Sequence, residues 1–237
     1  MSQPYLLLTL DDRTVDHWFA HRGVLEEAGA YATFFVSRAD QLTEDETTML
    51  QVLQRDGHTI ASHGLRHRDA PQYVAEHGLT AYLENEIEPS IAALAERGLG
   101  HRDFAFPFGR HDPTIDGALV ASFSWLRATS PRHTDERATE VLVDLGANDC
   151  PRVLSARGID VGRGGRANPD DSAALLTVLD EAADTGASVC LFAHDIAEWD
   201  QGLAQGHNFI TPARLRQVLA AAQERGLSAV GCGVLPD

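Results

Sequence analysis

Three short stretches of this chain carry residue types that do chemistry together. Asp11 and Asp12 are adjacent carboxylates that follow an apolar run. His63 and His67 are four residues apart, a spacing that puts two imidazoles on one face of a helical turn, able to grip one ion. His194 and Asp195 follow another apolar run. Each has a bland reading alone: a solvated turn, a surface histidine pair, a loop. Together they supply what metal-assisted amide hydrolysis needs. That is a three-ligand site with an open position, a carboxylate base, and an acid for the departing nitrogen.

The elements that must position these residues follow from periodicity and punctuation. Short apolar runs at 5–10, 32–36, 58–62, 104–106 and 189–193 read as buried strands. Weaker strands are expected at 125–128, 140–145, 152–154 and 228–231. Helical spacing covers 15–28, 43–55, 71–97, 171–183 and 211–225, with a helix end at 118–123. Thr43 with Glu46 has the pattern of a capping box. Three glycines within 162–168 mark a loop. Alternation of strand and helix along one domain, residues 1–237, predicts an α/β fold: a distorted barrel of seven to eight parallel strands, with a doubly wound open sheet as the alternative. In a barrel the residues just past the strand ends carry function. Here those positions hold the aspartates, the histidines and a Pro-Phe-Gly turn.

Composition narrows the partners. The formal net charge is -16, from 35 acidic and 19 basic residues, all of the latter arginine. Nucleic acid and anionic membranes would be repelled. Three scattered cysteines, Cys150, Cys190 and Cys232, form no C-x-x-C pair and fit a reducing compartment. No basic leader with a long apolar stretch and no membrane-length apolar run is seen, so a cytoplasmic location is expected.

Five segments resemble the motifs of the polysaccharide deacetylases, the carbohydrate esterase family with the NodB-homology domain. LTLDD at 8–12 is similar to its first motif, ATFFV at 32–36 to the strand that follows, and SHGLRH at 62–67 to its second motif. FAFPFG at 104–109 is similar to the third motif and LFAHD at 191–195 to the fifth. The resemblance implies roles residue by residue. Asp11 is the implied base, His194 the acid, and Asp12, His63 and His67 the ligands of a divalent metal: zinc, with cobalt, nickel or iron as alternatives. The Phe108 N–H is the implied oxyanion donor. The implied substrate is an N-acetylated or N-formylated amino sugar, oligosaccharide or lipid-linked sugar.

The chain departs from the family pattern in places. Arg13 stands where the family has glycine, and is expected to narrow or contact the groove. The arginine expected to pair with the base has Arg102 and Arg110 as its nearest candidates. RGID at 157–160 stands where the fourth motif belongs, with Asp160 either orienting His194 or serving as a loop carboxylate. His58 is assigned to a strand. His17, His21, His77, His101, His111 and His133 are assigned to the surface, and His207 to a loop within reach of the groove. Trp199 is a candidate sugar platform and Trp125 a core residue. Two other readings stay open: a metal-independent hydrolase of cyclic amides or ureides on the same fold, and an inactive carbohydrate-binding module.

Overall fold

The computed structural model describes residues 3–130 and 140–235; His133 lies outside them. Its strands are β1 (Tyr5–Asp12), β2 (Thr33–Val36), β3 (Thr59–Ser62), β4 (Asp103–Ala105), β5 (Trp125–Thr129), β6 (Leu142–Val143), β7 (Val153–Gly158), β8 (Gly162–Arg163), β9 (Arg166–Ala167), β10 (Ser188–Ala193), β11 (Asp195–Ile196), β12 (Phe209–Ile210) and β13 (Ser228–Val230). Its helices are α1 (Val15–Ala20), α2 (Gly23–Glu27), α3 (Glu44–Arg55), α4 (Ala70–His77), α5 (Leu79–Tyr82), α6 (Glu88–Ala95), α7 (Pro113–Leu119), α8 (Ser172–Thr185), α9 (Trp199–Gln205) and α10 (Pro212–Glu224).

Seven parallel strands, β1, β2, β3, β4, β5, β7 and β10, close into a barrel when β10 pairs back onto β1. The closure is distorted for a visible reason. One edge of β1 is taken by β10 from Leu6 to Leu10. Its other edge is shared, with Tyr5 to Leu7 pairing with β13 and Thr9 to Asp12 with β2. β13 therefore fills the wedge where β1 and β2 splay apart. Likewise β6 runs antiparallel beside the start of β10, where β7 has not yet reached.

Successive strand residues face opposite sides. Leu6, Leu8 and Leu10 point outward into the large core under the helices. Leu7, Phe35, Ala61, Ala105, Trp125, Ala156 and Cys190 fill the barrel lumen, several of them small, as a narrow barrel requires. The same alternation places Asp11 above Leu7 and Arg127 above Trp125 on the lumen side.

The elements depart from the sequence reading in three places. The stretch 15–28 is two short helices broken at His21 and Arg22. The stretch 71–97 breaks at Gly78 (φ 88°) and contains a π-helical turn, Leu83–Ile87. The expected glycine loop at 162–168 is a β-hairpin in a second, four-stranded sheet of order β11-β12-β8-β9. The capping box of α3 forms as the residue spacing requires. Among the described residues no helix is long and apolar enough to cross a membrane.

Candidate functional site

The carboxyl ends of the barrel strands surround a cavity of about 310 Å³ lined by Asp11, Asp12, His63, His67, Phe108, Arg127, Arg163, His194 and Asn208, among others. Four non-glycine residues have positive φ among the described residues, and three of them, Asp12 (83°), His67 (56°) and Phe108 (59°), line this cavity. Strained backbone of this kind persists only where surrounding structure enforces it, and it clusters at working sites.

His63 follows β3 directly and is buried. Its Nδ1 lies 2.8 Å from the Ala105 carbonyl, so Nδ1 donates and Nε2 presents a lone pair to the cavity. Burial holds its pKa down at about 4, which keeps the ring neutral. His67 Nε2 lies 3.2 Å from His63 Nε2 and 3.2 Å from Asp12 Oδ1, and His63 Nε2 lies 3.8 Å from the same oxygen. Burial disfavours the charge on Asp12, but the hydrogen bond from His67 and the nearby His63 and His194 outweigh it and lower its pKa. Bonds of about 2.0–2.1 Å to a tetrahedral ion put donor atoms roughly 3.3–3.4 Å apart. Two sides of the observed triangle, at 3.2 Å, match that spacing and the third, at 3.8 Å, is somewhat longer; the donor set fits a small divalent ion.

Asp11 sits deeper. Its Oδ2 is bound by Arg127 NH2, and both side chains are almost fully buried. Its Oδ1 is buried without a hydrogen-bond partner among the described residues. Arg127 lies between the rings of Phe35 and Phe192, 5.4 and 5.1 Å from their centroids. The sequence reading missed this arginine and pointed to Arg102 and Arg110, which the structure corrects. Arg102 is exposed and reaches the Ser122 carbonyl. Arg110 is exposed and pairs with Asp69, the N-cap of α4. The available signal was a charged residue at an inward position of a buried strand, alternating with Leu126 and Ala128.

On the opposite wall, Asp160 accepts twice from His194, through Nδ1 at 2.7 Å and the backbone N–H at 3.1 Å. Burial disfavours a charged His194, but the Asp160 carboxylate and its hydrogen bond, with Asp11 and Asp12 beyond, raise its pKa to about 9. Trp18 Nε1 donates to the His194 carbonyl and fixes the same residue from behind.

Arg13 is a second correction. The left-handed turn at Asp12 directs it away from the cavity, where it binds Glu46 and the Gln41 carbonyl at 2.6–2.9 Å. His17, assigned to the surface, instead donates from Nδ1 to the buried Asp195 at 2.9 Å. His58 precedes β3, is buried and accepts from the Ala32 N–H. His207 is exposed, 3.9 Å from Asp195. Trp125 is core; Trp199 is exposed beside a separate depression that Asp160 also lines.

The loop between His63 and His67 is held by a residue with no motif. Glu86, buried in the π-helical turn, accepts from the Arg66 N–H at 2.8 Å, and its backbone carbonyl accepts from Leu65 N–H at 3.2 Å. Burial raises its carboxyl pKa. Glu86→Ala removes the acceptor of the partly buried Arg66 N–H and is expected to cost about 1 kcal/mol, whereas Glu86→Gln keeps an acceptor oxygen and costs less. Urea denaturation of the two variants checks the order; equal losses would show that packing matters here and the hydrogen bond does not.

The sequence profile of the polysaccharide deacetylase family matches residues 1–122, the half that carries Asp11, Asp12, His63, His67 and Phe108. No curated protein sequence matches the chain. Among solved structures, a family 4 carbohydrate esterase from Streptomyces lividans, in complex with acetate, is 16% identical with a TM-score of 0.59, covering 95% of this chain and 91% of its own. An esterase of the same family from Streptococcus mutans is 20% identical (TM-score 0.61; 97% and 86% covered). The chitin deacetylase of the fungal pathogen Colletotrichum lindemuthianum is 16% identical (TM-score 0.61; 99% and 88% covered). At these identities the likeness is one of fold.

Proposed function

The chain belongs to the polysaccharide deacetylase family, hydrolases of carbon–nitrogen bonds, and on that premise we propose that it removes an N-acetyl or N-formyl group from an amino sugar, free, in an oligosaccharide or lipid-linked, with the help of a divalent metal. The observation that carries this reading is the donor triangle of Asp12, His63 and His67 in the same cavity as Asp11 and His194. Zinc suits one carboxylate and two imidazoles at this spacing. When bound, such an ion supplies positive charge that acidifies water and polarises the acyl carbonyl.

The protein's own groups do the rest. Asp11 takes the proton of the attacking water on Oδ1, the oxygen that Arg127 leaves free. Arg127 fixes the orientation of Asp11 through its contact with Oδ2. The N–H of Phe108, a residue that lines the cavity, is the proposed donor to the developing oxyanion. His194 delivers a proton to the amine nitrogen, without which an amide C–N bond does not break. Asp160 keeps His194 charged and turned toward the cavity.

A pH profile tests the acid. A group whose pKa is raised by a partner is charged below that pKa and loses its proton as pH rises through it. The alkaline limb of kcat is therefore expected near 9, where His194 titrates. Asp160→Asn removes the principal cause of the raised value, so the limb shifts to lower pH. An unmoved limb would mean another group supplies the proton.

The function itself is tested by amine release from N-acetyl and N-formyl glucosamine and their oligomers, with and without chelator. Release that a chelator abolishes is expected. Release indifferent to chelator favours the metal-independent reading, and none from any sugar contradicts the proposal.

A further inference from the structure

The small sheet outside the barrel grows directly from the catalytic wall. β11 begins at Asp195, the residue after His194, and pairs with Phe209, which pairs in turn with Gly162. A Cβ on Gly162 would lie 2.1 Å from the Phe209 ring, so only glycine lets the β8–β9 hairpin pack this closely. Its turn, Gly164 and Gly165, has φ of 57° and 76°, the two positive values a tight two-residue hairpin turn needs. The hairpin is thus a built element, and it brings Arg163 to the lining of the cavity.

At that tip Arg163 stands opposite Arg166 in register. Directly opposed residues project to one face, where like charges destabilise a sheet. Both side chains are exposed, and neither has a hydrogen bond or ion pair with its guanidinium among the described residues. Arg163 lines the catalytic cavity, as does Asn208. The other guanidinium of that cavity, Arg127, is already neutralised by Asp11. In a chain of net charge -16, two like charges side by side, one of them lining the site, are costly to the hairpin and serve no contact within it.

We propose that the β8–β9 hairpin is an anion-recognition element, and that the amino-sugar substrate carries a carboxylate or phosphate close to its acylated nitrogen. This rests on the hydrolase reading given above. A guanidinium offers paired donors that match either anion in bidentate fashion, and two of them side by side become favourable once an anion lies between them. Asn208, with one amide donor pair and one acceptor, suits a neighbouring sugar hydroxyl.

The test uses matched sugars: N-acetylglucosamine, its 3-O-carboxyalkyl ether, the methyl ester of that ether, and N-acetylglucosamine phosphate. Wild type and the Arg163→Ala, Arg166→Ala double variant are compared at low salt. In wild type, kcat/KM for an anionic sugar is expected to exceed that of its neutral counterpart by about 10- to 100-fold, the range of one charge-assisted pair. In the double variant that ratio falls toward one. Preference for the ether alone identifies a carboxylate, and for the phosphate alone a phosphate. A ratio near one in wild type, or one that survives the double variant, overturns the proposal. Calorimetric binding of the same sugars decides the matter even without turnover. Tighter binding of an anionic sugar by wild type only supports anion recognition, and would then fault the hydrolase reading alone; equal affinities overturn it.

Discussion

Asp11→Asn is expected to retain the metal while turnover falls by about 10²-fold or more. Asparagine keeps the size of the side chain and an acceptor oxygen for Arg127, but it cannot take a proton. The three donor atoms proposed to hold the ion belong to Asp12, His63 and His67, none of which this change touches. The substitution does remove the charge that compensates a buried arginine. Breaking a buried pair from one side costs about 3–5 kcal/mol in general; the retained hydrogen bond should limit this, and a lower melting temperature is part of the expected result. Metal content, melting temperature and turnover measured together separate the chemical loss from the structural one. If Asp11→Asn is as fast as wild type, the base is elsewhere.

His67→Ala is expected to lose bound metal and turnover together. His67 Nε2 is 3.2 Å from each of the other two donors, so its removal leaves two donors 3.8 Å apart. A two-donor site cannot hold a tetrahedral ion tightly. Asp12→Ala should also weaken binding, with partial recovery of rate in excess metal, because both imidazoles remain. Retention of one equivalent of metal by His67→Ala shows that the ligand set is wrong.

How much of this was legible in the chain depended on range. The barrel could be read because its strands are apolar runs bounded by turn residues, a local signal. The site residues at 11, 12, 63, 67 and 194 could be read because motif order reflects the order of strand ends around the ring. Arg127 could not be placed because its partner is 116 positions away; only closure of the barrel puts β5 opposite β1. Glu86 was invisible for a different reason: its partner is a backbone N–H, and no motif marks it. Arg13 misled because glycine-for-arginine reasoning assumed that its side chain follows the groove. The positive φ at Asp12 and the capping residue Glu46 turn it to α3 instead. The hairpin at 162–167 looked like a loop because two-residue strands have no periodicity to detect.

The central claim is that hydrolysis depends on an ion held by Asp12, His63 and His67. It is tested most directly by reading metal content and amine release on the same samples of wild type: as isolated, stripped with a chelator, and reloaded with zinc. One equivalent of metal with release, loss of both on stripping, and return of both on reloading is the predicted result. Full release by protein stripped of metal would contradict it.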